Sequence, residues 1–203
     1  MQEVLEGIWR WQVEDEEGVS MSSYALVSDA GTLVVDPAWD AQAVARLERL
    51  PGPVLIVLST HNHVRDARRV QDRLAAPIAA SERATRDLEG INRALHADEV
   101  LPGGWRVLEA PGVYSGEIAL YNEQVAGGTL YVGDLFVTQA AEETGRGGLV
   151  VALLPERLRS DPVRLQATLS RLTDLAFETV LTGHGPPILG GGRHRVRALA
   201  LGR

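Results

Sequence analysis

Three apolar segments of this chain each end in a tight turn that carries a polar side chain, and this pattern constrains the fold most. The three stretches are Val57-Leu-Ser-Thr-His61-Asn-His63, Leu130-Tyr-Val-Gly133-Asp134 and Val180-Leu-Thr-Gly183-His184-Gly185. Glycine beside the polar residue permits a sharp turn and a close approach of the backbone to a ligand. Loops at strand ends are where a rigid scaffold usually carries its chemical groups. The pattern predicts strands that present imidazole and carboxylate ligands for a metal ion.

The first turn holds two histidines, His61 and His63, directly after the apolar run Pro53–Leu58. Side chains two residues apart in extended backbone point the same way, so we expect both imidazoles to converge on one ion. Imidazole is a common ligand for zinc, iron and related metals. The alternative is a pair that only hydrogen-bonds to the backbone of its own loop.

Composition excludes several other kinds of site. The chain has 203 residues, a formal net charge of -7 and a pI of about 5.3, which argues against a nucleic-acid surface. It contains no cysteine, so disulfides, thiolate nucleophiles and cysteine-bound metals are excluded. Every basic residue is arginine, which removes a P-loop lysine and Schiff-base chemistry. The motifs of serine hydrolases and of dinucleotide-binding proteins are also absent.

Targeting signals are equally sparse in the sequence. The N-terminal residues are acidic and lack the apolar core of a signal peptide. No stretch approaches the roughly 18–20 apolar residues of a membrane span. We therefore expect a cytoplasmic protein that acts on a small molecule and binds neither nucleic acid nor membrane. Oligomerisation is left open.

The order of predicted elements indicates a mixed α/β (α+β) fold. Residue alternation predicts strands and helical spacing predicts helices, which together suggest two packed sheets flanked by helices in one domain, residues 1–203. The predicted strands are Ile8–Val13, Ser23–Ser28, Thr32–Asp36, Pro53–Leu58, Pro77–Ala80, Trp105–Glu109, Glu117–Tyr121, Thr129–Val132 and Glu178–Thr182. The predicted helices are Asp40–Leu50, Asp66–Leu74, Pro162–Ala176, one that begins at Ser81 and one that begins at Arg193.

Four short motifs, taken in order, resemble the metallo-β-lactamase fold superfamily over essentially the whole chain. They are Val34-Val-Asp36, Thr60-His-Asn-His63, Gly133-Asp134 and Gly183-His184. The resemblance implies a four-layer αββα sandwich with a metal centre along one edge of its sheets. It also implies hydrolysis of esters, thioesters, lactams or phosphodiesters, although some members perform redox or non-hydrolytic chemistry. Asp36 is then expected to make hydrogen bonds behind the metal ligands.

The departures from the family pattern reduce the expected metal site. The family motif His-x-His-x-Asp-His is His61-Asn-His63-Val-Arg65-Asp66 here, so Arg65 replaces an aspartate and Asp66 replaces a histidine. A later motif, Pro-Gly-His-Thr-x-Gly, has Val113 in place of its histidine. Matched in this way, neither site of a two-metal centre keeps all its ligands. We therefore expect at most one ion.

Two interpretations of Arg65 and Asp66 are open. In one, the Arg65 guanidinium takes the place of a second cation and pairs with Asp134 or Asp66, because arginine stays charged and pairs well with carboxylates. In the other, the loop slips by one residue and brings Asp66 round as a metal ligand. Asp66 is also a common type of residue at a helix N-terminus, where it favours the dipole without any further role.

The leading hypothesis is a metal-dependent hydrolase of a small ester or thioester with a mononuclear site. Its metal ligands are His61, His63, Asp134 and His184, and its catalytic residues are Asp134, Asp66 and Arg65. The cofactor is one divalent metal ion, with zinc preferred over iron and manganese, and it activates water. The alternative is a catalytically silent family member that uses its cleft or an oligomer interface for binding.

Overall fold

Two β-sheets form the centre of the structure, a computed structural model that describes residues 1–86, 88–140 and 149–202. The larger sheet contains, in spatial order, β1 (Gln2–Leu5), β2 (Ile8–Glu14), β3 (Ser20–Ser28), β4 (Gly31–Val35), β5 (Val54–Leu58), β6 (Ile78–Ser81) and β7 (Arg93–Leu95). The smaller sheet contains, in spatial order, β14 (Thr179–Thr182), β11 (Thr129–Val132), β10 (Ile118–Asn122), β9 (Trp105–Glu109) and β8 (Val100–Leu101). A separate hairpin pairs β12 (Val137–Gln139) with β13 (Val150–Ala152).

The two sheets pack face to face because their apolar residues alternate along each strand. In β4, Leu33 and Val35 face the other sheet, whereas Val34 between them faces outward. In β11, Tyr131 faces inward, whereas Leu130 faces outward. Further residues of the layer between the sheets are Tyr24, Leu26, Leu55, Val57, Val107, Leu120 and Leu181.

Helices cover the outer face of each sheet. α1 (Ala41–Leu47) and α2 (Ala67–Leu74) lie on the larger sheet, and α3 (Pro162–Leu172) and α4 (Gly192–Ala200) lie on the smaller one. The outward-facing residues of the strands pack against them, as Val34 and Ile56 do against Val44. The result is the four-layer αββα sandwich predicted from the sequence. No helix in the described ranges is both long and apolar enough to cross a membrane.

Most elements lie within a few residues of their predicted bounds, with one clear exception. The helix predicted to begin at Ser81 is wrong as an α-helix: β6 continues through Ser81, and only a 3-10 turn, Ala84–Arg86, follows in the described residues. The Ser81 hydroxyl does accept from the amide of Ala84 at 3.1 Å, as a cap would, but it also donates to the carbonyl of Gly116. The strands β1, β7, β8, β12 and β13 were not predicted.

Two pairs of parallel strands determine where the polar turns lie. β4 is parallel to β5 in the larger sheet, and β11 is parallel to β14 in the smaller one. Parallel neighbours end at the same edge of a sheet. Asp36 and the turn with His63 therefore follow neighbouring strands, as do Asp134 and His184. Because the sheets are packed face to face, the two pairs of turns meet at one edge of the sandwich.

Candidate metal centre

Three side chains meet at this edge: His63, Asp134 and His184. Nε2 of His63 lies 3.2 Å from Oδ1 of Asp134, and Nε2 of His184 lies 3.3 Å from the same oxygen. The candidate ligand atoms of the three residues all lie within 4.8 Å of one another. His63 and Asp134 are buried, whereas His184 is partly exposed. One carboxylate oxygen and two imidazole nitrogens therefore face a common point.

The opposite nitrogen of each ring is held by a hydrogen-bond acceptor. Nδ1 of His63 lies 2.7 Å from Oδ2 of Asp36, and Nδ1 of His184 lies 2.9 Å from the carbonyl oxygen of Ser20. Each Nδ1 therefore carries a proton, so the neutral form of each ring has its lone pair on Nε2. A metal-binding histidine commonly has this arrangement, because an acceptor behind it selects the tautomer and orients the ring.

The residues fit a bound divalent ion. Nε2 of His63 and Oδ1 of Asp134 are fully buried and have no hydrogen-bond partner among the described residues, although they lie 3.2 Å apart. The two atoms are thus close without the alignment of a hydrogen bond. Ligands at about 2.0–2.1 Å from a tetrahedral zinc ion are separated from one another by about 3.3 Å. The observed separations match that spacing.

Asp36 forms the base of the site. Its carboxylate accepts hydrogen bonds from the backbone amide and hydroxyl of Ser59, from the Tyr131 hydroxyl and from His63. Burial alone raises the pKa of a carboxyl group, but the charge and hydrogen bond of His63, with Arg65 nearby, lower the pKa of Asp36 overall. Asp36 is therefore an ionised acceptor, and its predicted place behind the ligands matches the observed contacts.

The imidazole of His63 has a strongly raised pKa. Burial lowers its pKa, yet the charges of Asp36 and Asp134 outweigh burial and Arg65, and they raise the pKa of His63 to about 9. Burial raises the pKa of Asp134, but the charge of His63 and the contacts with both histidines outweigh burial and lower this pKa overall. The site thus attracts positive charge, whether that charge is a proton on His63 or a metal ion.

Glu117 is a buried residue of the site that the sequence interpretation missed. Its Oε1 accepts from the backbone amide of Asp134 at 2.7 Å, and its Oε2 has no hydrogen-bond partner among the described residues. Burial, and next the charge of Asp134, raise the pKa of Glu117 to about 8. The sequence did offer a signal for this residue, since a glutamate stands between Gly116 and the apolar start of β10. A carboxyl group at such a position is rarely buried without a role.

Glycines allow the turns to approach one another. A Cβ atom on Gly183 would lie 2.6 Å from Cε1 of His63 and 2.9 Å from the carbonyl oxygen of Gly133. A Cβ atom on Gly133 would lie 2.4 Å from Oγ of Ser59. The Gly-Asp and Gly-His pairs in the sequence therefore reflect close packing between the loops of the two sheets.

Arg65 connects the loops rather than pairing with a carboxylate. Nη1 donates to the carbonyl oxygens of Ser22 and Asp36, both at 2.9 Å, and Nη2 donates to the carbonyl oxygen of Gly183 at 3.3 Å. Among the described residues, no carboxylate oxygen lies within 4.0 Å of its guanidinium, so the predicted ion pair with Asp134 or Asp66 is not formed. The predicted placement of a fixed positive charge beside the site does agree with the structure.

His61 does not join His63, and the reason is the backbone. Residues 61–63 form a 3-10 turn rather than an extended segment, so side chains two residues apart diverge instead of pointing the same way. The His61 ring packs edge-on against Tyr114, with ring centroids 5.3 Å apart. His61 is absent from the group of close ligand atoms.

Asp66 also lies outside this group. Its Oδ2 accepts from the backbone amide of Trp39 at 2.8 Å, which ties the start of α2 to the segment before α1. Asp66 precedes α2 without making a side-chain hydrogen bond to that helix. The structure therefore does not show the slip of the loop that would make Asp66 a ligand.

A cavity of about 770 Å³ opens beside the three side chains. Polar groups line one part of it, among them His63, Asp134, His184 and Arg10. Apolar side chains line another part, namely Val19, Met21, Tyr114, Val137, Leu154 and Leu158. The cavity is large enough for a small organic molecule with an apolar portion.

The comparison with protein families identifies the chain. A profile described as the metallo-beta-lactamase superfamily matches residues 6–202. The protein therefore belongs to the metallo-β-lactamase superfamily, as the ordered motifs predicted. No curated protein matches the sequence.

Solved structures with the same fold are distant in sequence. A metallo-beta-lactamase from Pontibacter korlensis has a TM-score of 0.73 at 15% identity, with 100% of this chain and 98% of that chain covered. The metallo-beta-lactamase family protein TTHA1429 from Thermus thermophilus has a TM-score of 0.70 at 18% identity, covering 98% and 80%. The protein TTHA1623, solved in a di-iron-bound form, has a TM-score of 0.63 at 23% identity, covering 87% and 93%. At these identities the likeness establishes the fold alone.

Proposed function

We propose that this protein is a metal-dependent hydrolase with a mononuclear centre formed by His63, Asp134 and His184, acting on a small ester or thioester. The observation that carries the proposal is the pair of Nε2 atoms that face one carboxylate oxygen without hydrogen-bond alignment. Membership of the superfamily supports it, as does the di-iron-bound form of the similar protein TTHA1623. Zinc is the preferred ion, because two imidazoles and a carboxylate leave one position of a tetrahedral site open.

A divalent ion held by His63, Asp134 and His184 would polarise a carbonyl oxygen and lower the pKa of a water molecule. The protein's own groups orient the metal ligands and the attacking water, and they exclude bulk water. Asp36 keeps the proton of His63 on Nδ1, and the carbonyl of Ser20 does the same for His184. Asp134 orients the attacking water. The apolar wall of the cavity, with Tyr114 and Leu154, excludes bulk water from the acyl part of the substrate.

The assignment of residues differs from the family pattern. Val113 is fully buried in the outer core of the smaller sheet, and Arg65 is bound to three backbone carbonyls. Neither residue can hold a second ion. We therefore propose one ion, with His61 and Asp66 outside its ligand set and Arg65 as a structural cation.

Activity measured on metal-loaded and metal-free protein tests this proposal. Protein stripped with a chelator and reloaded with zinc, iron or manganese is assayed on oxoesters and thioesters of the same acyl groups. We expect hydrolysis that requires metal and falls at least about 100-fold in His184→Ala, since removing a metal ligand removes the ion. His194→Ala, which changes an exposed histidine in α4, is the matched control and should keep full activity. Hydrolysis that survives both the chelator and His184→Ala would contradict the proposal.

The second candidate is a catalytically silent family member that uses the cavity for binding. The replacement of three family ligand positions by Arg65, Asp66 and buried Val113 favours it. A protein that binds metal yet hydrolyses no member of the ester and thioester panel would fit this candidate. The melting temperature with and without chelator reports metal binding independently of activity, because an ion that binds only the folded state raises it.

A further inference from the structure

Arg10 places a second guanidinium in the cavity beside the metal centre. It lies in β2, is half-buried, and lines the same cavity as His63 and His184. Its Nη2 donates to the carbonyl oxygen of Gly185 at 2.7 Å and to Oγ of Ser22 at 2.9 Å, and its Nε lies 3.3 Å from the same Oγ. The side chain is thus fixed to the residue that follows the candidate ligand His184.

The charge of Arg10 has no protein counter-ion in the described part of the chain. No carboxylate oxygen there lies within 4.0 Å of its guanidinium, and its two acceptors are neutral. Of the carboxylates that line the cavity, Asp134 faces the two histidines. The other, Asp15, is exposed and accepts from the backbone amides of Glu17 and Val19 at 2.9 and 2.8 Å.

The rest of the cavity adds to this positive character. Arg65 is also in its lining, and its bonds are likewise to neutral carbonyl oxygens. No hydrogen bond from Nη1 of Arg10 is formed within the described residues, although the Tyr24 hydroxyl lies close to the guanidinium. A half-buried guanidinium without a carboxylate partner is a good receptor for an anion, since charge-assisted hydrogen bonds are about twice as strong as neutral ones.

We propose that Arg10 forms an anion subsite and that the substrate is an ester or thioester carrying a carboxylate. This inference rests on the proposed function, because it names the substrate class of the same site. The carboxylate pairs with Arg10, the scissile carbonyl lies at His63, Asp134 and His184, and the apolar chain between them contacts the wall of the cavity. Arg10 then determines specificity without taking part in the bond cleavage.

Pairs of thioesters that differ only in a terminal carboxylate test the subsite. Succinyl, glutaryl and adipoyl half-thioesters of one thiol are compared with the butanoyl, pentanoyl and hexanoyl thioesters, after subtraction of uncatalysed hydrolysis. We expect kcat/KM to favour at least one charged member about tenfold or more over its neutral partner, the contribution of a hydrogen bond to a charged group. In Arg10→Met the ratio of kcat/KM for a charged thioester to that for its neutral partner should fall to near one, through a higher KM for the charged thioester. The ratio is taken within each variant, so it does not depend on a change in activity that both thioesters share.

Control variants separate charge from structure. Arg10→Lys keeps the charge and should keep part of the preference. Arg10→Gln can still donate to the carbonyl of Gly185 without charge, and it replaces Arg10→Met if that variant melts at a lower temperature. Arg73→Met, which changes an exposed arginine of α2 paired with Glu48, should leave the preference unaltered. A preference that is absent in the wild type, or that persists unchanged in Arg10→Met and Arg10→Gln, would overturn the subsite.

A binding measurement distinguishes failure of the subsite from failure of the proposed function. Glutarate is titrated into chelator-treated wild type, Arg10→Met and Arg73→Met and followed by calorimetry. We expect weaker binding, by about fivefold or more, only in Arg10→Met. Binding that depends on Arg10, without hydrolysis of any thioester, would support the subsite and contradict the hydrolase. Equal glutarate binding by all three proteins would contradict the subsite and leave the hydrolase standing.

Discussion

His63 donates from Nδ1 to Oδ2 of Asp36 at 2.7 Å, inside the layer where the two sheets meet. Asp36 follows β4, and His63 follows its parallel neighbour β5, so the contact is a direct product of strand order. The same bond sets the tautomer that directs Nε2 of His63 toward Asp134. Metal binding at this edge is therefore expected to depend on a residue that is not itself a ligand.

Replacement of Asp36 by asparagine tests that dependence. Asp36→Asn removes the negative charge that holds the Nδ1 proton, and we expect metal affinity to fall about 10–100-fold, the range typical for partners behind a ligand. Titration with a competing metal indicator measures the affinity. Tyr131→Phe removes another donor to the same carboxylate without changing the histidine tautomer, and it should change the affinity far less. Equal losses in the two variants would contradict the role given to Asp36.

The close approach of Gly183 to His63 makes a small substitution informative. In Gly183→Ala the new Cβ would meet Cε1 of His63 at 2.6 Å and the backbone of Gly133. We expect a loss of about 1–3 kcal/mol in the free energy of unfolding, the usual cost of overpacking, together with weaker metal binding. Gly190→Ala is the control, because its Cβ meets no atom within 4 Å. Urea unfolding that gives the same result for both variants would refute the predicted clash.

The bonds of Arg65 to three backbone carbonyls predict the effect of restoring the aspartate of the family motif. Arg65→Asp should lower the free energy of unfolding by roughly 2–4 kcal/mol, because three donors are lost at the junction of three loops. Aspartate tolerates the left-handed backbone there (φ 41°), so the loss reports the missing contacts.

Metal uptake should not increase in Arg65→Asp, since neither His61 nor Asp66 faces the site. Arg68→Asp, at an exposed neighbour with one hydrogen bond to the Glu89 carbonyl, should lose no more than about 1 kcal/mol. Uptake of a second ion by Arg65→Asp would be evidence against this account.

Stability of the metal-free protein should decrease as the pH rises above neutrality. The pKa of His63 is raised from 6.5 to about 9 by Asp36 and Asp134 against burial, and that of Glu117 is raised from 4.5 to about 8 by burial and Asp134. Both pKa values are higher in the folded state. The contribution of His63 to the free energy of unfolding is therefore fully present below pH 6.5 and is lost by about pH 9. The contribution of Glu117 is fully present below pH 4.5 and is lost as the pH rises through about 8.

Glutamine at position 117 separates the two contributions. Glu117→Gln keeps an acceptor for the amide of Asp134 but cannot ionise, so its free energy of unfolding should fall less steeply between pH 4.5 and about 8. Chemical denaturation in the presence of chelator, at several pH values, measures the slope. Parallel pH profiles for the variant and the wild type would show that Glu117 does not titrate in this range.

Much of the fold could be predicted from the sequence, because it depends on local patterns. Continuous apolar runs before Asp36 and in β11 identify strands with two apolar faces, and Gly133 and Gly183 identify the turns that follow. The helix expected from Ser81 was wrong because its capping pattern was satisfied by a short turn. Ser81 also bonds to Gly116, a contact between segments distant in the chain.

The site was predicted in part, for similar reasons. Asp134 and His184 follow strands and lie where the motifs placed them. His61 was misplaced because the inference assumed extended backbone, whereas the chain turns at Thr60, whose side chain caps the 3-10 turn. The contacts of Arg65 join segments of both sheets, and Glu117 bonds to the turn after the neighbouring strand β11. No local pattern in a single sequence specifies such contacts.

Metal content measured by elemental mass spectrometry tests directly whether one ion binds at His63, Asp134 and His184. Tag-free wild type, His184→Ala and His61→Ala are purified in parallel and reconstituted with zinc, iron or manganese. We expect about one ion per chain in the wild type and in His61→Ala, and none in His184→Ala. A wild type that takes up no metal, or a loss in His61→Ala with retention in His184→Ala, would contradict a mononuclear centre at His63, Asp134 and His184.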